Sequence, residues 1–362
     1  MPTNKKQKKA KANKKDEFYT MLPDIEKELK HYKTHFKDKI ILCNCDDPFE
    51  SNFFKYFALN FNNFGLKKLI CTCYDGSLVS GDQLSIFDVD EIEPQKPKQA
   101  YKVELTNVVD YNKDGQIDLA DVENILKRRK SVISLLEGNG DFRSEECLKL
   151  LEEADIVVTN PPFSLARSEY VPLLLKHNKS FILLGNNNWI TDKTLFPYIR
   201  DNKVWAGYTF NKTLEFIMPD DYELKDNGYI DDNGKKHGFV PEITWFTNLE
   251  TTKRAEKLLP YLTKQYKEGL YPHYDNFNGI DVNKVENIPI DYFGVMGVPN
   301  TFLDKYNPTE FKIIGMGCGN LAKEVGIQKN YRGRTDLAFT DNNGNHKCPY
   351  GRLLIQRVKG ES

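Results

Sequence analysis

Ala154-Asp155-Ile156-Val157-Val158-Thr159-Asn160-Pro161-Pro162-Phe163-Ser164 joins an apolar run directly to two prolines, and that junction points to the class of fold. The apolar run up to Thr159 reads as a buried strand. Two consecutive prolines remove two backbone donors and fix two φ angles, so the strand must stop and the loop after it is rigid. Open α/β sheets place ligands at such loops, on the carboxyl ends of their strands. This loop carries one side-chain amide, one carbonyl freed by the prolines and one aromatic ring. Those groups suit the holding of a planar, amino-bearing ring.

An aromatic exocyclic amine is a poor nucleophile because its lone pair is delocalised into the ring. Two acceptors placed out of the ring plane drive the nitrogen toward tetrahedral geometry and free that lone pair. Asn160 offers its side-chain oxygen and Pro161 its backbone carbonyl, the one hydrogen-bonding group a proline has. Phe163 can stack on the ring face, an interaction worth about 1–3 kcal/mol for a base. Positioning and directed acceptors then do the work, without a charged general base. The motif points to methyl transfer onto an amine, and by itself does not separate a nucleic-acid adenine, in DNA or in RNA, from a protein glutamine.

Outward from this stretch, strand-like and helical segments alternate. Ile25–Tyr32 and Asn52–Phe61 read as helices. Lys39–Cys45, Lys67–Cys73, Ser131–Glu137, Asp155–Thr159, Ser180–Gly185, Lys203–Tyr208 and Glu242–Asn248 read as strands. The alternation predicts a doubly wound, mostly parallel, Rossmann-like α/β sheet of seven strands. Residues 16–250 are expected to form this domain. Beyond Glu250 the rhythm weakens into aromatic, turn-rich sequence, and 251–362 is expected to be a smaller target-recognition domain. Arg332, Arg334, Arg352 and Arg357 in it are suited, as a cluster, to phosphates or guanine edges.

Each of the first four strands ends in a loop carrying Asp or Asn, which is what a nucleoside-containing cofactor needs along one sheet rim. No glycine-rich phosphate cradle occurs in these loops, which disfavours a diphosphate. Residues 81–129 interrupt the alternation as an insertion. Within it, 110–121 fits the calcium-loop template, with Asp110, Asn112, Asp114, Gln116, Asp118 and Asp121 as candidate ligands and Gly115 at the sharp turn. One structural Ca2+ is the expectation there; taken alone, the loop also fits a dockerin-like interaction module.

Composition sets the remaining bounds. In 362 residues the formal net charge is -1, so any nucleic-acid surface must be local. Residues 1–15 hold seven lysines and too little apolar sequence to order themselves, and read as a flexible arm that tracks phosphates. No apolar run spans a bilayer and no secretory signal is visible, so a cytoplasmic protein without a membrane partner is expected. The cysteine count of seven is odd, which argues against a disulfide framework. Cys43/Cys45 and Cys71/Cys73 are expected to be buried, reduced thiols rather than zinc ligands.

Several motifs in order resemble the EcoRI-type adenine-specific DNA methyltransferases over nearly the full length. They are Asp16-Glu17-Phe18-Tyr19-Thr20, Asn44-Cys45-Asp46-Asp47-Pro48 with Ser51-Asn52-Phe53, Glu137-Gly138 with Gly140-Asp141-Phe142-Arg143-Ser144, and Ala154 through Ser164. The resemblance implies an S-adenosylmethionine cofactor. Phe18, Tyr19 and Thr20 would meet its methionine part, Asp46, Asp47 and Pro48 would line the loop after the first strand, and Asp75 would take the ribose. Asp141 and Phe142 would contact its adenine, and Asn160, Pro161, Pro162 and Phe163 would form the catalytic loop. It also implies double-stranded DNA as substrate, with the target base flipped from the stack, and a cognate restriction endonuclease acting separately.

Overall fold

A computed structural model describes residues 19–45, 47–49, 51–73, 100–128, 132–218, 223–224 and 227–359. The chain divides into two compact bodies. The first comprises the described residues up to Asn186 together with Lys212–Leu249. Its strands are β1 (Tyr19–Thr20), β2 (Ile40–Asn44), β3 (Lys68–Thr72), β4 (Tyr101–Leu105), β5 (Ile133–Leu135), β6 (Ile156–Thr159) and β7 (Ser180–Asn186). After β8 (Trp205–Ala206), which belongs to the second body, come β9 (Leu214–Met218), β10 (Tyr229–Ile230), β11 (Lys236–Val240) and β12 (Ile243–Thr247).

In the first body the main sheet runs β5-β4-β3-β2-β6-β7-β12. Its centre, β3-β2-β6-β7, is parallel, and β4, β5 and β12 add antiparallel ladders on either side. Every residue of β2, β6 and β12 is buried, the pattern of strands covered on both faces. Asp155 fixes the β2/β6 register from below: its carboxylate accepts from the Ile40 amide at 2.8 Å, and its own amide donates to the Ile40 carbonyl at 2.9 Å.

Helix Asn52–Leu59 starts at Ser51, whose hydroxyl accepts from the Phe54 amide, and buries Phe53, Phe54, Tyr56 and Phe57. Phe57 meets Phe36 edge-on at 5.1 Å; burying such a ring stabilises by about 1.5–3 kcal/mol. Helix Leu22–Leu29 continues into a tighter turn at Lys30–Tyr32, so the expected helix is present with an earlier start.

Three strand expectations need correction. Tyr101–Leu105 belongs to the main sheet and not to a detached insertion, because its alternation buries Tyr101, Val103 and Leu105. Ser131–Glu137 shrinks to β5 at the sheet edge, and Lys203–Tyr208 contributes only Trp205–Ala206, in the second body. A small antiparallel sheet, β1-β9-β11-β10, was not anticipated. Its signals were the alternation along Leu214–Met218 and the tight turn at Gly234, where φ is 78°.

Cys43 and Cys71 are opposite each other in the β2/β3 ladder and fully buried, and Cys73 is buried at the end of β3; all are free thiols. Cys45, expected to be buried with them, is half-buried, because the chain turns there into the left-handed region (φ 73°). Burial, with the Asp47 charge adding to it, pushes the Cys73 thiol up to about 12. A raised thiol pKa favours the folded state below pH 9, and that contribution is lost as pH rises from 9 toward 12. Native protein at pH 8 is expected to leave Cys73 unalkylated by iodoacetamide, with modification on denaturation; mass spectrometry of the peptide reads the outcome.

The candidate calcium ligands are not gathered into a metal cluster. Among the described residues no group of three or more His, Cys, Asp or Glu side chains stands ready to hold a metal ion. Asp110 accepts from the Lys113 and Gly115 amides, and Asp121 from those of Tyr111, Asn112 and Asp118. Asn112 and Asp114 bond each other, Asp118 accepts from the Ala120 amide, and Asp114 accepts from the Gln116 amide. These oxygens stitch a turn ahead of helix Leu119–Arg128, so the calcium expectation finds no support.

The second body comprises Asn187–Asn211 and the described residues from Glu250 onward. Besides β8 it holds β13 (Ile280–Asp281), β14 (Met296–Pro299), β15 (Phe311–Met316), β16 (Phe339–Thr340), β17 (His346–Lys347) and β18 (Arg352–Arg357). Its sheet runs β13-β14-β18-β15, and Tyr274, Ala322, Ile327, Leu337 and Leu354 cluster in its core. Tyr274 donates to Asp281, which also pairs with Arg352 at 2.9 Å. No helix among the described residues is long and apolar enough to cross a membrane.

Candidate active site

The order β3-β2-β6-β7 places the topological switch between β2 and β6, since the chain winds one way from β2 and the other from β6. The two strands are parallel, so the loops after Asn44 and after Thr159 leave the same rim side by side. A crevice for a ligand opens between such loops. Asn44 ties the two strand ends together: the Thr159 hydroxyl donates to its carbonyl, and the Tyr170 hydroxyl donates to its side-chain oxygen.

Asn160 and Pro161 are buried, while Pro162 and Phe163 are half-buried at the opening. The Pro162 carbonyl accepts from the Leu165 and Ala166 amides and starts the short helix Phe163–Leu165. Among the described residues no backbone donor engages the Pro161 carbonyl. A π-helical turn, Ala166–Tyr170, follows directly. Such turns re-aim side chains, and they concentrate at functional sites. This one sends Tyr170 back under Asn44, where it is fully buried and its hydroxyl is held protonated by burial.

On the other side, Asp47 is buried; its carboxylate accepts from the Phe49 amide at 2.9 Å and from the Tyr101 hydroxyl at 3.0 Å. Pro48 is buried beside it. The strand β4 is therefore part of the site's frame, because it carries Tyr101 to the end of β2. Thr20 pairs through β1 with β9, and its carbonyl accepts from Asn52 at 2.8 Å. The Thr20 hydroxyl oxygen is buried, with no hydrogen-bond partner among the described residues. A buried hydroxyl left so costs about 1–3 kcal/mol, which a ligand group can recover.

Gly140 brings the next loop to this rim. Its φ is 76°, and a Cβ there would stand 2.2 Å from the Cys73 carbonyl oxygen at the end of β3. Only glycine permits that approach. Phe142 follows, buried and edge-on to Tyr170 at 5.0 Å. Arg143 bonds Asp141 through Nε and Nη2 at 2.9 and 2.6 Å, and reaches Glu169 of the π-helical turn at 2.5 Å. Hydrogen bonding from Arg143 holds the Asp141 carboxyl below the usual range.

The structure thus brings Thr20, Asp47, Pro48, Asp141, Phe142 and Asn160–Phe163 onto one body's rim. Tyr19 is described by backbone only, and Phe18, Asp46 and Asp75 lie outside the described residues, as does the lysine arm. Tyr101, Glu169 and Tyr170 were not foreseen. An exposed-looking charge pattern gives Glu169 no distinguishing signal, and Tyr170 depends on a π-helical turn that no local propensity announces.

A rim built this way sets an Asn-Pro-Pro-Phe loop beside a loop holding a buried carboxylate, the arrangement expected of an amino-methyltransferase. The chain belongs to the family described as adenine-specific methyltransferase EcoRI, whose model matches residues 6–358. It is 43% identical to the type II methyltransferase M.EcoRI of Escherichia coli over 99% of this chain and 98% of that one. It is also 37% and 35% identical to the type II methyltransferases M.MgeORF184P of Mycoplasma genitalium and M.MpnI of Mycoplasma pneumoniae, each over 84% of both chains. No solved structure matches the chain. The protein is an adenine-specific DNA methyltransferase, and family membership sets aside the dockerin-like and glutamine readings.

Proposed function

We propose that this chain methylates the exocyclic amine of an adenine flipped out of duplex DNA within one short sequence. We assign it to the cytoplasm as the modification half of a restriction–modification system. The observation that carries the reading is the pairing of two loops across the β2/β6 switch point, the Asn160–Phe163 loop beside the Asp47 loop, in a chain that its family matches over residues 6–358.

The residues present fit S-adenosylmethionine. The orphaned Thr20 hydroxyl offers a hydrogen bond to the amino-acid part, with Phe18 and Tyr19 in the same motif. Asp75 and the Asp46–Pro48 loop suit the ribose end, and Asp141 with Phe142 suits the adenine edge and face. When bound, this cofactor supplies an electrophilic methyl group on a sulfonium.

Asn160 accepts a hydrogen bond from one N–H of the target amine through its side-chain oxygen, and Pro161 accepts one from the other N–H through its carbonyl; one of those protons is lost to solvent after the transfer. Two such bonds hold the nitrogen's lone pair toward the opposite face, where the methyl group arrives. Phe163 stacks on the extruded base and repays part of the unstacking cost. Burial of Asn160 keeps water from competing for the amine. Asp47, bound by Tyr101 and the Phe49 amide, braces the loop after β2.

Genomic DNA from a host expressing the protein is expected to carry N6-methyladenine at one sequence context. Methylation-sensitive sequencing reads both mark and context, and an unmarked genome alongside active, folded protein would count against the reading. Gly140→Ala tests the rim: the left-handed backbone costs about 1–2 kcal/mol for a residue with a Cβ, before the clash with Cys73. Binding of S-adenosylmethionine, measured by calorimetry, is expected to weaken about tenfold or more, since 1.4 kcal/mol is a factor of ten.

A further inference from the structure

Four arginines of the second body were candidates for DNA contact, and the structure divides them. Arg352 has its Nε on Asp281 at 2.9 Å and is mostly buried. Arg357 lies over the Phe293 ring at 4.5 Å with its Nε buried. Those two are engaged within the fold. Arg332 and Arg334 are exposed, and among the described residues neither has an ion-pair partner. The loop between Asn330 and Arg334 is nevertheless pinned by hydrogen bonds. The Asn330 side chain is buried; its oxygen accepts from the Arg332 amide at 2.8 Å and the Arg334 amide at 3.3 Å. Its backbone amide donates to the Arg334 carbonyl, the Gly333 amide donates to its carbonyl, and its side-chain nitrogen donates to Asp336.

The loop also carries a stack. Tyr331, half exposed, lies on the His346 ring at 4.7 Å with planes 24° apart, and the Arg332 guanidinium sits 5.1 Å above Tyr331. Ordering a long cation on an aromatic costs entropy with no intramolecular charge to repay it. Holding it there ahead of time removes that cost from binding an anion. With a net charge of -1 for the chain, an electrostatic footprint on DNA has to be local.

We infer that the Asn330–Arg334 loop is a preformed DNA-backbone clamp in which Arg332 and Arg334 each neutralise a phosphate. The inference rests on the DNA substrate and not on the assignment of the cofactor rim. Its probe is a random-sequence 30-base-pair duplex, because phosphate contacts do not depend on the target sequence. Binding of the full chain is followed by fluorescence anisotropy between 50 and 200 mM KCl. Each phosphate contact contributes about 0.9 to the slope of log K against log salt, so R332A/R334A is expected to flatten the slope by nearly two. R332K/R334K keeps the charge and is expected to keep most of the slope. A control, K264A/K267A, removes two exposed lysines from the same body and is expected to leave the slope unchanged. An unaltered slope in R332A/R334A overturns the clamp, as does equal flattening in the lysine control or in the charge-retaining variant. Failure of the methyl-transfer assignment would appear separately, as absent genomic methylation with the slope effects intact.

Discussion

Asn160→Ala is expected to lower single-turnover methyl transfer by about two to three orders of magnitude, the usual loss when one preorganised hydrogen-bonding group is removed from a charge-developing site. The side chain is buried at the end of β6, where Pro161 and Pro162 deny the backbone any freedom to compensate. Removing the amide leaves a void that water can fill, but water has no fixed direction and does not hold the amine's lone pair toward the methyl group. Cofactor affinity is expected to stay within about threefold, because the loss falls on the transition state and not on ground-state binding. Phe163→Ala is expected to lose less turnover, since the acceptors persist. Turnover of Asn160→Ala within tenfold of the parent, measured with labelled cofactor and excess enzyme, would remove Asn160 from the chemistry.

The second large effect concerns the other body. Asp281 is 5% exposed and accepts from both Arg352 and Tyr274, whose hydroxyl is held protonated by burial and by that carboxylate. Gly297 makes room for this arrangement, since a Cβ there would lie 2.1 Å from the Tyr274 hydroxyl oxygen. Asp281→Ala strands the Arg352 guanidinium, 14% exposed, next to a core strand. Breaking one side of a buried ion pair costs about 3–5 kcal/mol. The melting temperature of the transition that unfolds this body is expected to fall by roughly 10 °C, at about 2–4 °C per kcal/mol. Arg352→Leu, which removes the charge along with its guanidinium, offers a contrast only if Asp281 is also neutralised. Scanning calorimetry of Asp281→Ala, Arg352→Leu and the double variant measures the coupling; additive losses would show that the pair is not one unit.

The parallel centre of the sheet was legible because Ile40–Asn44, Lys68–Thr72, Ile156–Thr159 and Ser180–Asn186 are built on apolar runs, buried except at Lys68, Ser180 and Asn186, with turn residues after them. The turn at Asn160–Phe163 was legible because prolines impose their geometry irrespective of context. Less of the surroundings could be read. Tyr101–Leu105 alternates in a way that fits an edge as well as an interior place, and only the β3/β4 ladder brings it to Asp47. The Asp110–Asp121 spacing matches a metal loop, yet the same side chains satisfy local backbone amides equally well. Spacing fixes which oxygens are near one another, not whether they point inward. The four arginines looked alike in sequence and differ only by their neighbours, a buried carboxylate for Arg352 and a phenyl ring for Arg357.

Asn44 and its partner Thr159 stand 115 positions apart in the chain. At about 5–20 residues per second of synthesis, the ribosome needs roughly 6 to 23 s to deliver the second after the first. During that interval β2 and β3 can pair with each other, but the flank of β2 that receives β6 has no occupant. An apolar strand flank left open is a template for foreign strands. The same adjacency that assembles the site therefore makes the growing polypeptide most vulnerable just before it acquires its chemistry, and slowed elongation between Asn44 and Thr159 is expected to lower the yield of soluble enzyme.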